Sequence, residues 1–372
     1  MMGDASQEAT FRDASGLPRP EEPRSWKPLL IPRERIEEEI ARLSCLAVPA
    51  GGRRAADIIH PQATEPGLGV APGLGISINV LRPGESVVLP RDNANRVEFA
   101  IGGTGHALIG EQKLPIARWS VWTCPTMIRR QYRNDGDDVM AWLSYSNVPV
   151  LEKLGIHYSD AAESRPPFTS VNGVSGEVRF RRSTAPDHAI LEDGARFRGY
   201  EFLTDIEVVE NKALVWPFAE TEPYLTTVEG DGKRTIMLLY NPATGRRNGT
   251  THSFFATLAS WAPGVERLPP ARGHKHTSTA CNYHFRGSGM SIVDGQRYDW
   301  RAGDLMLSAP AWSEHAHGAG EEGSTVLTIQ DHPFQIGMES LIWQEKMDGP
   351  ILTLGAEAGQ TGYVGPRLEG VD

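Results

Sequence analysis

The feature that most constrains this chain is a repeat of one β-module in its two halves. Residues 102–125, GGTGHALIGEQKLPIARWSVWTCP, align with residues 286–310, RGSGMSIVDGQRYDWRAGDLMLSAP, once a single residue is skipped. Gly103 then matches Gly287, Gly105 matches Gly289, and Pro125 matches Pro310. A Gly-x-Gly turn, a following strand and a proline-terminated strand, present twice, imply two copies of one barrel. Short apolar or alternating runs surround each copy: ISINVL, SVVLP, VEFAIGG and MAWLSYS in 76–146, and TIMLLY, SFFATLASW, ACNYHFRG and TVLTIQ in 236–335. Gly, Pro, Asp and Asn separate them, the pattern of a β-sandwich or barrel. At 372 residues there is enough chain for two domains, each with its own core.

The predicted organisation is an all-β chain with an N-terminal arm over 1–45, a first barrel over 46–150, a connection over 151–235, a second barrel over 236–345 and a tail over 346–372. In the arm, Ile36, Ile40 and Leu43 recur at helical spacing and predict a helix over 33–44, after a polar segment expected to be mobile. The connection is irregular, with strands expected at EVRFRR and ALVW. Acidic residues exceed basic ones by 47 to 37, and no Lys/Arg run stands out. Nucleic acid and anionic membranes are therefore not expected partners, since both need concentrated positive surface. No apolar run approaches the ~20 residues of a bilayer span, and the N-terminus lacks a signal-peptide core. Cys45, Cys124 and Cys281 form no CxxC pair, which suits a reducing cytoplasm.

Five of the eleven histidines fall between 274 and 317. In GHKHTSTACNYH, His274 and His276 are two apart, so on a strand they share a face and can both enter a barrel. His315 follows Pro310 by five residues, at the start of a later strand that can lie opposite. Three imidazoles from two strands leave adjacent positions open on a metal. By the same parity Asn282 and His284 point into the lumen, and His317 shares a face with His315. His284 or His317 could act as a base or orient a ligand; each could equally be a structural, hydrogen-bonded histidine. Trp312 could stack on a substrate or pack the barrel mouth. Arg272 and Arg286 are candidates for a substrate carboxylate, against the ordinary role of solvated turn arginines. Cys281 has the opposite parity and reads as a small buried hydrophobe.

These motifs resemble the cupin superfamily, and more closely the bicupins of the gentisate and salicylate 1,2-dioxygenase type. HKHTSTA is similar to the first cupin motif, without the glutamate that many members use as a fourth ligand. Gly303 through Pro310 to His315 is similar to the second motif. YNPATG, APGVERLPPARGHKHTS, FRGSG and DGQRYDWRAGD extend the likeness strongly over 236–335, with a weaker likeness over 76–150. The resemblance implies two double-stranded β-helix barrels, Fe(II) or another divalent metal on His274, His276 and His315, and a homodimer or homotetramer. It implies ring cleavage of a hydroxylated aromatic acid or related phenol with O2; the competing expectations are a metal-dependent lyase, isomerase or decarboxylase, and a non-catalytic metal-binding bicupin.

Two departures qualify the likeness. The family is expected to hold iron in its first barrel, but the aligned positions here are Pro90, Asp92 and Arg130, so that barrel is expected to carry no metal. The family's carboxylate-binding arginine, six residues beyond the second histidine, is replaced by Asn282, which lacks a charged fork.

Overall fold

The computed structural model describes residues 12–17, 22–49, 52–160, 182–192, 194–204, 206, 211–225, 227–360 and 362. Two antiparallel β-barrels lie side by side. The first is built from β2 (Arg54–Ile58), β3 (Gly75–Leu81), β4 (Ser86–Leu89), β5 (Arg91–Asp92), β6 (Arg96–Gly102), β7 (Gly105–Ile109), β8 (Gln112–Ile116), β9 (Val121–Cys124), β10 (Arg130–Asn134) and β11 (Met140–Ser146), preceded by β1 (Leu29–Ile31) and helix α1 (Arg33–Cys45). The connection contributes β12 (Ser159–Asp160), a hairpin of β13 (Asp187–Ala189) and β14 (Arg196–Arg198), and β15 (Val215–Trp216). The second barrel comprises β16 (Arg234–Leu238), β17 (Phe255–Trp261), β18 (Lys275–His276), β19 (Ala280–Val293), β20 (Gln296–Arg301), β21 (Leu305–Ala309) and β22 (His315–Gln330), with β23 (Ile342–Gln344) and β24 (Leu352–Thr353) beside its mouth.

Alternation of side chains decides what each sheet faces. In the first barrel one sheet runs β15-β9-β6-β11-β3-β2 and the other β4-β10-β7-β8; in the second, β1-β21-β19-β22-β17-β16 form one strongly bent sheet. Val97, Phe99, Ile101, Leu143 and Tyr145 point out of the first barrel and pack with Leu258, Cys281, Tyr283, Phe285 and Leu327 of the second. Phe99 lies 5.4 Å from Tyr283 and 5.8 Å from Phe285, ring to ring. The two barrels thus share one apolar core between them. A fully buried residue of this kind contributes ~1.5–3 kcal/mol, which outweighs a few surface ion pairs. The alternate residues, Glu98 in β6 and Asn282 and His284 in β19, are left facing the lumens.

The repeat is visible in backbone geometry. Gly103 and Gly287 take φ of 73° and 72°, and a Cβ at either would lie within 2.5 Å of backbone atoms across the turn. Only glycine tolerates both demands. In the second barrel β19 and β22 are continuous through the bend, and register shifts at His284/Arg286 and Gly287/Gly289 let them curve.

The N-terminal arm departs from expectation. The helix is where the periodicity predicts it, burying Ile36 and Leu43 in the shared core. Ahead of it, however, Leu29–Ile31 pair with β21 as a strand of the second barrel, Leu29 opposite Leu307 and Ile31 opposite Leu305. Pro28 and Pro32 bracket this three-residue run and conceal it from a pattern search. ALVW does supply a strand, with Val215 opposite Trp122 of β9. EVRFRR falls outside the described residues except for Arg182, which begins a 3₁₀ turn. Among the described residues no helix is long and apolar enough to cross a membrane.

Candidate metal centre

His274, His276 and His315 converge at one end of the second barrel, each offering one nitrogen, and these nitrogens all lie within 4.8 Å of one another. His276 comes from β18 and His315 from the start of β22. Their segments are joined by a two-way bridge, His274 N–H to the His315 carbonyl at 3.2 Å and His315 N–H to the His274 carbonyl at 2.9 Å. Gly273 permits this approach, since a Cβ there would sit 2.2 Å from the His315 carbonyl oxygen.

Hydrogen bonds settle which nitrogen each ring can give. His276 Nδ1 lies 2.8 Å from the Ser278 carbonyl, and His315 Nδ1 lies 2.9 Å from the Ser313 carbonyl. A carbonyl only accepts, so each Nδ1 carries the proton and each Nε2 presents its lone pair. His276 Nε2 is buried with no partner. A buried orphaned acceptor costs ~1–3 kcal/mol unless something binds it, and a cation between the rings would do so. The group fits: carbonyl-oriented imidazoles with free Nε2 atoms are the arrangement found around protein-bound metals. Burial, followed by the neighbouring charge of His315, holds His274 and His276 well below ordinary histidine, and burial lowers His315 as well. Neutral rings are the form that ligates.

Trp343 forms the floor, its ring stacked 4.9 Å from both His274 and His276. Beyond the histidines opens a cavity of about 500 Å³, walled by Phe255, Trp261, Trp300 and Val326. Arg234 also lines it, its guanidinium 4.9 Å over the Trp261 ring. Arg234 lines the cavity together with His274 and His317, and both rings are lowered by burial first, then by His315 and by the charge of Arg234. Asn282 lines the same cavity. Its Nδ2 donates to Ser308 Oγ at 3.0 Å, while its buried Oδ1 has no partner. The amide therefore presents an acceptor to the cavity, suited to a hydroxyl and not to a carboxylate.

The other expected residues divide. His284 and His317 both line the cavity. His284 stacks 3.7 Å from Trp300 with neither nitrogen hydrogen-bonded, and burial pushes it down to about 3, too low for an effective base near neutrality. His317 Nδ1 lies 2.8 Å from Ser291 Oγ. Trp312 is buried, with the Lys275 ammonium 4.6 Å over its ring, and does not line this cavity. Arg272 forms a two-pronged ion pair with Glu314 (both 2.9 Å) and borders a neighbouring recess. Arg286 is held by Glu222 and lies over Trp119 and Phe218, away from the cavity, because the register shift beside it turns it outward. Arg234 and Trp343 were missing from the expected set. Arg234 is one residue from the TIMLLY run, and alternation with Ile236 could have placed it in the lumen; nothing local marks Trp343.

No family model matches the chain. Among curated proteins it is 24% identical over 293 residues to 1-hydroxy-2-naphthoate 1,2-dioxygenase of Nocardioides sp. (strain KP7), covering 75% of this chain and 68% of that protein. It is 21% identical over 344 residues to 5-aminosalicylate 1,2-dioxygenase of Comamonas sp, covering 89% and 85%. Gentisate 1,2-dioxygenase of Haloferax sp shows 24% identity over 275 residues, covering 69% and 70%. Among solved structures, salicylate 1,2-dioxygenase from Pseudoaminobacter salicylatoxidans superposes with a TM-score of 0.66 at 15% identity, covering 88% of each chain.

Proposed function

We propose that the chain is a bicupin related to the gentisate- and salicylate-type 1,2-dioxygenases and that it cleaves the ring of a hydroxylated aromatic acid, inserting both atoms of O2. The observation that carries this reading is a three-imidazole cluster, two of whose rings, His274 and His315, line the same cavity as Arg234. His274, His276 and His315 would hold the metal, which we take to be Fe(II), a cation that imidazole suits. When bound, the metal supplies Lewis acidity toward substrate oxygens and a centre for O2 chemistry.

The chain's own residues perform the remaining tasks. Arg234 offers its planar fork to the substrate carboxylate, in place of the arginine absent at Asn282. Asn282 Oδ1 accepts a hydrogen bond from a ring hydroxyl, so one end of the substrate is read by charge and another by an acceptor. Phe255, Trp261 and Val326 flank the ring and exclude water. Trp343 stacks on His274 and His276 and holds the orientation of both rings. The reading includes a cytoplasmic setting, supported by three unpaired thiols, and a homodimer or homotetramer.

The test is metal analysis of protein prepared without oxygen, followed by oxygen-electrode assays with hydroxybenzoates and hydroxynaphthoates. Wild type should carry about one iron per chain and consume O2 with at least one of these acids. His276→Ala should lose both properties. Turnover persisting in metal-free His276→Ala would eliminate the mechanism.

A further inference from the structure

The lumen of the first barrel holds a second cavity, of about 260 Å³, which the proposed chemistry leaves unused. Its interior is charged. Arg53, Arg96 and Arg130 all line it, with Asp92 and Glu98. Asp92 Oδ2 accepts from Arg96 Nη2 at 2.6 Å and from Arg130 Nη2 at 2.9 Å, so one carboxylate oxygen is shared by two guanidiniums. Arg130 is 4% exposed, yet its Nε has no partner; Glu98 is 1% exposed, and its Oε2 has none either. Arg53 lies toward solvent and reaches in to Asn79 Oδ1 and Ser77 Oγ, both at 2.9 Å.

Two of the three permanent cations, Arg96 and Arg130, thus share the Asp92 carboxylate, and Arg130 Nη2 also donates to the Pro90 carbonyl at 3.0 Å. Burial pushes the Glu98 carboxyl upward against the pull of all three arginines. Buried cationic donors without partners are costly, and an anion bound among them relieves that cost. Guanidinium forks match the planar carboxylate group in particular. Trp142 supplies a flat apolar wall, and the volume suits a molecule of roughly benzoate size. Asp57 and Glu152 border the same cavity, which disfavours a dianion such as phosphate.

We propose that the first barrel binds a small organic monocarboxylate between Arg53, Arg96 and Arg130, at the place where the second barrel clusters its histidines. The position of charge is inverted between the two copies: Arg130 and Asp92 align with His315 and His276.

Isothermal titration of full-length, metal-free protein tests this, with benzoate and inorganic phosphate as probes and with Arg53→Gln and Arg234→Gln as variants. Arg130 is unsuitable alone, because its loss strands Asp92 and endangers folding, whereas Arg53 contacts only an amide and a hydroxyl. Benzoate should bind wild type saturably, weaken at least tenfold at one site in Arg53→Gln, and keep that site in Arg234→Gln. Three results overturn the proposal: no saturable benzoate binding up to about 10 mM, benzoate binding lost in Arg234→Gln but kept in Arg53→Gln, or phosphate binding more tightly than benzoate.

Discussion

Replacing Arg234 with Gln tests the proposed electrostatic half of substrate recognition. The guanidinium is half-buried, braced on Trp261 at 4.9 Å and close enough to lower His274 and His317. A hydrogen bond to a charged group is worth ~1.5–3 kcal/mol, and a fork makes two that are not additive in a cavity open to water. A loss of about 2–3 kcal/mol follows, or roughly 30–150-fold in kcat/KM. Because the carboxylate keeps its charge while the ring opens, the interaction is the same in ground and transition states, and the loss should appear in KM with kcat changed less than about threefold. Removing the cation also relieves repulsion at the histidines, so iron content should hold or rise. The assay is steady-state O2 uptake with a hydroxylated aromatic acid and with its decarboxylated phenol, alongside iron analysis. A kcat/KM within threefold of wild type, or an equal loss on the phenol, would refute the assignment of Arg234 to the carboxylate.

Two further substitutions probe the scaffold. Gly273→Ala puts a methyl roughly 1 Å inside the ~3.3 Å at which carbon and carbonyl oxygen normally meet, so the His274–His315 bridge must splay; iron affinity should fall at least tenfold with the far-ultraviolet dichroism unchanged, and undiminished affinity in a competitive chelator titration would contradict this account of the site. Asp331, buried and accepting from Thr279 N–H at 2.7 Å, is pushed up to about 7 by burial. The folded chain therefore holds a proton that the unfolded chain releases above the ordinary aspartate range near 4, so this contribution is full at acid pH and declines as pH rises, until it levels off above about 7, with a ceiling on the order of 4 kcal/mol. Melting temperature should drop between pH 5 and pH 8 by clearly more in wild type than in Asp331→Asn; equal drops would show that Asp331 does not carry the dependence.

The clustering of His274, His276 and His315 was legible in the sequence because its members are tied to local rules: strand parity for His274 and His276, and a fixed offset from Pro310 for His315. Parity also placed Asn282 and His284 in the lumen, since β19 is regular there. Parity would not extend to Arg286, where a register shift breaks the period of two and the side chain pairs with Glu222. The pairing of Arg272 was hidden too, since Glu314, 42 residues on, lies close enough to claim its fork. Trp343 and the β1–β21 pairing were illegible because both are long-range contacts made by short segments with no periodicity of their own. The mode of action of Asn282 was also hidden: whether an amide offers its donor or its acceptor depends on Ser308, a neighbour that only the folded strand pair supplies.

Strand β19 is a two-sided plank, gripped through Tyr283 and Phe285 on one side and presenting Asn282 and His284 on the other. The copy without the histidine cluster is consequently not dispensable ballast: its Phe99 bears on the reverse of the surface that lines the second barrel's cavity. Shaving that ring would be felt one residue away in the opposite lumen, and cutting the chain between the barrels would strip the plank of its backing while β1, encoded at the far end, went with the wrong piece.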